Sequence, residues 1–361
     1  MSAYLRWAVA NYPAAKFDLA TSGTREAPVS LWLDPAHLST SDRDAPKRAV
    51  QAIAELNGVG EGEVLLTSGA AHAIWLAAAS VLSPGADVLV ENPHYEPLRS
   101  SPSLQSARIR TFDVLAPTPP TDLVARVERA LERDTRLVIL SNLHNPTGHR
   151  RSDDDLRAIA ALLAKRDAYL LVDEIYAPFD ALAYRPSGIR SAKRLGDNVL
   201  CASSLTKTLG LGSHRLGWML ANESVIERAH DVFLSSVGFL PLVHAEMMLH
   251  ALVAKDALIE RALEGLDEKR KLVFDAMQSL PGLTFSAPKD GLFGFAWYED
   301  GRDVSDLLDR ALREEAVIVA PGRFFGAPCG FRISWSNERA IILHGLERLV
   351  RVLGTPREER R

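Results

Sequence analysis

The chain has 361 residues, 47% of them hydrophobic and 24% charged, with a formal net charge of −4. That length exceeds the ~250–300 residues at which single cores stop growing, so more than one domain is expected. There is no basic excess to suggest nucleic acid and no charge run to make a tail. Two cysteines, Cys201 and Cys329, are too few for a disulfide framework; both are read as reduced and the compartment as cytoplasmic. The stretch from Met1 to Trp7 lacks a basic region followed by a long apolar core, so no signal peptide is expected. The longest apolar run, Ala73 to Leu82, is well short of the ~20 residues a membrane helix needs.

In chain order, short β-branched or aliphatic runs alternate with longer amphipathic ones, which predicts βα units around a mostly parallel sheet. The expected strands are 64–67, 87–90, 137–140, 169–172, 198–202 and 217–220. A helix is expected over 70–82, after the strand at 64. Another starts at Ser152, where the Asp153-Asp154-Asp155 triplet suits a helix N-terminus better than a metal site. Between them, Pro117 to Pro120 reads as a Pro-rich loop. From Leu242 to Met277 leucines recur near helical spacing in a continuous pattern, suited to carrying the chain from a large domain into a smaller one. Short strands at 293–297, 316–320 and 331–335 follow. A closing helix from Glu338 to Leu353 precedes a polar tail, Pro356 to Arg361.

The most informative residue is Lys207, in Ser203-Ser204-Leu205-Thr206-Lys207-Thr208-Leu209-Gly210. A lysine on a loop ordinarily meets solvent. Here Asp173 ends an apolar strand upstream, Ser204 lies three residues before, and Arg215 follows after turns at Gly210, Gly212 and Gly217. Together they are the parts needed to hold pyridoxal phosphate: an amine for its aldehyde, an anion for its ring nitrogen and a cation for its phosphate. An aspartate ending a strand also suits a phosphate-loop nucleoside triphosphatase, but the required Gly-x-x-x-x-Gly-Lys-Ser/Thr loop is absent.

Other positions fit the same ligand, each with a plainer reading beside it. Tyr176 follows Asp173 by three residues and offers a hydroxyl to a phenolate oxygen. Asn145-Pro146-Thr147-Gly148 is a turn by composition. It stands one βα unit before Asp173, so the Asn145 amide falls at the same sheet edge. Ser68-Gly69-Ala70-Ala71-His72 opens a helix after a strand, where small residues and the helix N-terminus make an anion cradle. Gly58-Val59-Gly60 precedes a strand and is no dinucleotide fingerprint. Tyr95, in Asn92-Pro93-His94-Tyr95, is either a stacking ring or a core tyrosine. Arg332, the one charge in Phe331-Arg332-Ile333-Ser334, suits a carboxylate or a structural ion pair. The ten histidines form no metal-ligand spacing, and no Gly-x-Ser-x-Gly elbow supports serine hydrolysis.

In order and spacing, over roughly residues 60 to 340, these motifs resemble the class I/II aminotransferases of the fold-type I pyridoxal phosphate enzymes. The resemblance implies that Lys207 carries the cofactor as a Schiff base. It implies that Asp173 meets the ring nitrogen, Tyr176 and Asn145 the phenolate oxygen, and that Tyr95 stacks on the ring. Phosphate falls to Ser204, Arg215 and the Ser68-Gly69-Ala70-Ala71 turn, and the substrate carboxylate to Arg332 with Asn145. Gly23 resembles the glycine of the N-terminal substrate loop. Residues 288–295 and 321–326 resemble small-domain segments. Between Gly23 and Val64 the family's tyrosine-glycine pattern, whose tyrosine reaches the neighbouring subunit's phosphate, is missing, and the N-terminal arm is short.

The fold so implied is α/β: a three-layer αβα large domain over 41–255 and a smaller α/β domain from 1–40 and 256–361. A homodimer with its active site at the interface goes with it. The expected activity is transamination between an amino acid and a 2-oxo acid. A carbon–sulfur β-lyase or an amino-acid cyclase would use the same residues, and a non-catalytic cofactor-binding protein is the rival of a different class. No second arginine is placed for a side-chain carboxylate, Arg25 and His94 being candidates on position alone.

Overall fold

The computed structural model describes residues 3–39, 41–116, 120–177, 184–185, 188–189, 191–286 and 288–354. The loop at 117–119 and the tail from 355 lie outside the described residues. Helix α1 (Ala3–Asn11) leads to β1 (Phe17–Asp18), and α2 (Ala45–Asn57) leads to the main sheet. Its strands are β2 (Val64–Ser68), β3 (Asp87–Asn92), β4 (Arg108–Asp113), β5 (Thr135–Ser141) and β6 (Tyr169–Asp173). After a short hairpin of β7 (Tyr184–Arg185) and β8 (Gly188–Ile189) come β9 (Val199–Ser204) and β10 (Leu216–Leu220). The order is β2-β10-β9-β6-β5-β3-β4, and only β10 runs against its neighbours.

The central strands read as continuous apolar runs because both faces are covered. Alternate residues serve opposite layers, as the two-residue period of a strand requires. Val138 and Leu140 pack towards α2, α5 (Leu123–Ala130), α6 (Asp153–Ala164) and α8 (Leu242–Val253). Leu137 and Ile139 pack towards α3 (Ala70–Val81), α4 (Glu96–Leu104) and α7 (Glu223–Ser236). This is the three-layer α/β arrangement expected. The Ser152 hydroxyl accepts the Asp155 N–H at 3.0 Å and so caps α6, as the acidic triplet foretells.

Edge strand β4 escapes the sequence pattern. Its Arg108, Arg110 and Asp113 keep the sheet's open edge charged, so it shows no apolar run. The helical stretch over 242–277 is broken into α8, α9 (Lys255–Leu263) and α10 (Leu266–Gln278), with Gly265 between the last two at φ +62°. Leucine spacing persists across the breaks because Leu258 of α9 and Leu272 of α10 each pack on a core of their own.

A second, antiparallel sheet orders β11 (Leu283–Ser286), β12 (Phe293–Tyr298), β15 (Gly330–Ser334) and β14 (Ala320–Pro321). The strand expected over 316–320 is two pieces. β13 (Val317–Ile318) pairs with β1, and β14 pairs with β15. Helices α10, α11 (Ser305–Glu315) and α12 (Arg339–Gly354) share this sheet's core with Phe17 and Leu19. Ala27, Trp32 and Leu33 cross to the core of the main sheet. Among the described residues no helix is long and apolar enough to cross a membrane.

Candidate active site

Strand direction gathers the site at one edge of the main sheet. Register sets Ser141 beside Asp173 and Asp173 beside Ala202, so β5, β6 and β9 end together. Because β10 runs the other way, its start lies at that edge too: Leu216 pairs with Ser68 and Gly217 with Ser204. Arg215, Ser68 and Ser204 are therefore neighbours, with Lys207 on the loop just past β9. Ligands in open α/β folds collect at this edge.

Asp173 is 3% exposed. Among the described residues its carboxylate takes one hydrogen bond, from the Ile175 N–H at 3.2 Å, and no cation pairs with it. Burial, reinforced by Glu91 and Glu174, pushes it up to about 7. Burial, with Arg332 and Arg215 adding repulsion, lowers the Lys207 amine to about 8. An acid held too weak and an amine held too weak, both buried, make a site built for charges it does not itself supply.

The phosphate side shows the same incompleteness. Gly69 sits at φ +79° at the head of α3, and a Cβ there would lie 2.6 Å from Arg215 Nη2. Only glycine lets the guanidinium close on that helix N-terminus, where the first N–H groups, those of Ala70 and Ala71 included, have no intrahelical acceptor. Among the described residues no carboxylate pairs with Arg215. The Ser204 hydroxyl is 2.7 Å from that of Thr206. An amine, an unpaired acid and an unpaired arginine over a helix N-terminus fit the aldehyde, ring nitrogen and phosphate of pyridoxal phosphate.

Arg332, from β15, arrives across the gap between the sheets. It is 1% exposed, yet its hydrogen-bond partners among the described residues are all neutral. Nη1 donates to Asn145 Oδ1 at 2.8 Å; Nη2 donates to the Tyr4 hydroxyl and to Ala20 O, both at 2.9 Å. Its Nε–H is buried without an acceptor. Among the described residues no carboxylate pairs with Arg332, so the structural ion pair weighed from the sequence is not formed there.

Asn145 is fixed from behind. Its N–H donates to Ser141 Oγ at 3.0 Å, and that hydroxyl donates to buried Glu91 at 2.6 Å, which Arg151 also holds. Since Arg332 takes its oxygen, the Asn145 amide keeps N–H donors to offer. Tyr176 is buried, its ring edge-on to Phe293 at 5.0 Å. Tyr95 precedes α4, and burial raises its phenol, with Tyr4, Tyr176 and Asp173 adding to the effect. A Cβ on Gly23 would stand 3.1 Å from Lys207 Cδ, and the Thr24 N–H donates to Lys207 O at 2.9 Å. Arg25 pairs instead with Glu338 at 2.5 Å.

Sequence reasoning missed Tyr4, Asp18 and Glu91. Tyr4 meets Arg332, and the charge of Asp18 reaches the Lys207 amine, far along the chain, and no local motif marks either link. Glu91 alone had a signal, an acid closing the apolar run of β3.

A family model described as "Aminotransferase class I and II" matches residues 15–349. The chain is 29% identical to capreomycidine synthase of Streptomyces vinaceus, over 98% of this chain and 94% of that protein. It is also 29% identical to a probable N-acetyl-LL-diaminopimelate aminotransferase of Bacillus subtilis (strain 168), over 85% and 78% respectively. Among solved structures, a PLP-dependent aminotransferase from Streptococcus suis superposes with a TM-score of 0.84 at 21% identity, covering 97% of this chain and 96% of that one. The chain belongs to the class I and II aminotransferases, whose cofactor is pyridoxal phosphate.

Proposed function

We propose that the protein moves an amino group between an amino acid and a 2-oxo acid, with pyridoxal phosphate held at Lys207. One observation carries this reading: Asp173, Arg215 and Arg332 have no counter-ion among the described residues, and the Lys207 amine lies within electrostatic reach of all three. When bound, the cofactor supplies an aldehyde that accepts amines and a ring that takes up electrons released at a neighbouring carbon. The rest falls to the chain. Asp173 keeps the ring nitrogen protonated, while the Tyr176 hydroxyl and the Asn145 amide donate to the phenolate oxygen and Tyr95 covers the ring. Arg215, Ser204 and the N–H groups from Ser68 to Ala71 hold the phosphate. Arg332 and Asn145 orient the substrate carboxylate, and the loop at Gly23 packs on Lys207. Lys207 Nζ, freed by an incoming amine, takes the proton from the substrate α-carbon. An amine titrating near 8 is a competent base at neutral pH.

The same reading includes a large domain of 41–255, a small domain of 1–40 with 256–361, a homodimer and a cytoplasmic setting. Support for the dimer comes from an apolar groove lined by Val50, Ile226, Phe233 and Leu240, beside Phe239, which is 83% exposed. A second reading, a carbon–sulfur β-lyase or an amino-acid cyclase on the same residues, has one point in its favour. Capreomycidine synthase, matched over 98% of this chain, bears the name of a synthase.

The test is the absorption spectrum of the cofactor-loaded protein as single amino acids are added without any 2-oxo acid. Loss of the visible band with release of a 2-oxo acid is expected and names the donors. Ammonia and pyruvate accumulating under a persistent band would establish a lyase. A protein that never acquires the band would end the Lys207 assignment.

A further inference from the structure

Helix α1 is tied to the site at its first turn. Glu96, the residue after Tyr95, accepts the N–H groups of Ala3 at 2.6 Å and of Tyr4 at 2.9 Å, one on each carboxylate oxygen. An acid at a helix N-terminus is a favourable cap. It fixes Tyr4 with its hydroxyl 2.9 Å from Arg332 Nη2 and 3.0 Å from the Tyr12 hydroxyl. The Tyr4 ring is held by Phe324 and Phe325, at 5.8 and 5.7 Å between centroids, and lies edge-on to Tyr95 at 6.4 Å.

We infer that Tyr4 is a substrate-binding residue, whose hydroxyl donates to the carboxylate that Arg332 holds. This rests on the aminotransferase reading above. A phenol oxygen accepts hydrogen bonds and donates one. Arg332 already donates to Tyr4, and Tyr12 stands ready as a second donor, so the Tyr4 proton is left for a ligand. The Tyr12 phenol is kept protonated, mainly by burial. Of the five Arg332 N–H groups, three meet acceptors among the described residues; Nε–H is buried without one, and the second N–H of Nη1 is also left over. A carboxylate that takes these free N–H groups lies against the same small guanidinium whose Nη2 is 2.9 Å from the Tyr4 hydroxyl. Tyr4 then completes a binding set in which Arg332, Asn145 and Tyr4 come from three distant parts of the chain.

The experiment compares the Tyr4→Phe variant with the parent on the best donor amino acid and on the amine that donor becomes without its carboxyl group. Phe keeps the ring contacts and removes only the hydroxyl. The expected result is a rise in KM for the amino acid of about tenfold, little change in kcat, and no change for the amine. Equal losses on both substrates would reduce Tyr4 to a packing residue and overturn the inference; so would a lower KM for the amino acid, the mark of a competitor for Arg332. A parent enzyme that converts no amino acid at all would instead defeat the aminotransferase reading. Should Tyr4→Phe fail to fold, Glu96→Gln, which weakens the cap and keeps the phenol, is read the same way. It should raise KM by a smaller factor, again for the amino acid alone.

Discussion

The edge of the main sheet and the N-terminal segment over 3–27 both build the site, by different means. At the sheet edge each functional side chain sits within a few residues of a strand end, and the backbone hydrogen bonds of the sheet place it. In the N-terminal segment placement depends on single contacts across the chain: Tyr4 to Arg332, Thr24 to Lys207, and Ala20 to Arg332. The first kind of site is rigid and local. The second can be lost one hydrogen bond at a time, so substitutions at the edge should have the larger effects and those in the segment the smaller.

The largest effect is expected at Lys207. Lys207→Ala removes both the amine that carries the cofactor and the base at the α-carbon, so turnover should fall by at least 10²–10⁴-fold, roughly the contribution of a positioned base. The visible band should vanish while the cofactor still binds through Arg215 and Asp173. Wild-type turnover in this variant would break the comparison at its strongest point.

Asp173→Asn should cut turnover in the loaded enzyme by roughly 10²–10³-fold, since a buried cationic nitrogen loses its partner. In the cofactor-free protein the sign reverses. The folded protein holds a proton on Asp173 up to about pH 7, against an ordinary value of 3.8. Between these values the folded state binds more protons than the unfolded one, so stability falls as pH rises through the window. Asn lacks this penalty, and the cofactor-free variant should be the more stable at pH 8 by roughly 2–4 kcal/mol. Near pH 4 the two should melt alike. Parallel melting curves at both pH values would mean that Asp173 has a cationic partner in the protein.

Gly69→Val tests the cradle. Its side chain would occupy the space of the Arg215 guanidinium at a backbone angle that favours glycine. Affinity for pyridoxal phosphate should fall about tenfold or more, a lost charge-assisted hydrogen bond, while affinity for pyridoxal without phosphate should hold. Equal loss of both would place the phosphate elsewhere.

How far the sequence discloses each region follows from the same contrast. The parallel strands, Asp173, Asn145, Lys207 and Arg215 are legible because a buried strand must be apolar and a ligand-binding loop must follow it. β4 is illegible because an edge strand carries charge on purpose. Tyr4 is illegible because nothing in Ala3-Tyr4-Leu5-Arg6-Trp7 records that residue 332 lies beside it. Arg332 lies between: its type and its apolar strand were readable, its neutral company was not. The missing tyrosine-glycine pattern leads in the structure to short turns at Val29–Leu31 and Pro35–His37 and then α2.

The smallest predicted effect probes the N-terminal segment alone. Asp18 accepts the N–H groups of Ala20 at 2.8 Å and Thr21 at 2.9 Å, and the Thr21 hydroxyl as well. It thereby shapes the backbone whose Ala20 carbonyl receives Arg332 Nη2. Its charge also favours the protonated Lys207 amine, opposing burial and the two arginines. Asp18→Asn retains an oxygen for the backbone donors and removes the charge, so the turn should survive and the electrostatics should not. The Lys207 amine should then lose its proton more readily, with its titration moving down by a few tenths of a unit, a fraction of the roughly 1.4 kcal/mol that a full unit represents. The rate at which the cofactor-free protein reacts with an amine-specific acylating reagent, followed against pH, reads this directly. A shift upward would mean that the turn had opened and let water reach Lys207, making Asp18 a structural residue first. No shift would mean that the segment acts on the site through Tyr4 and Ala20 alone, with its charge screened from the amine.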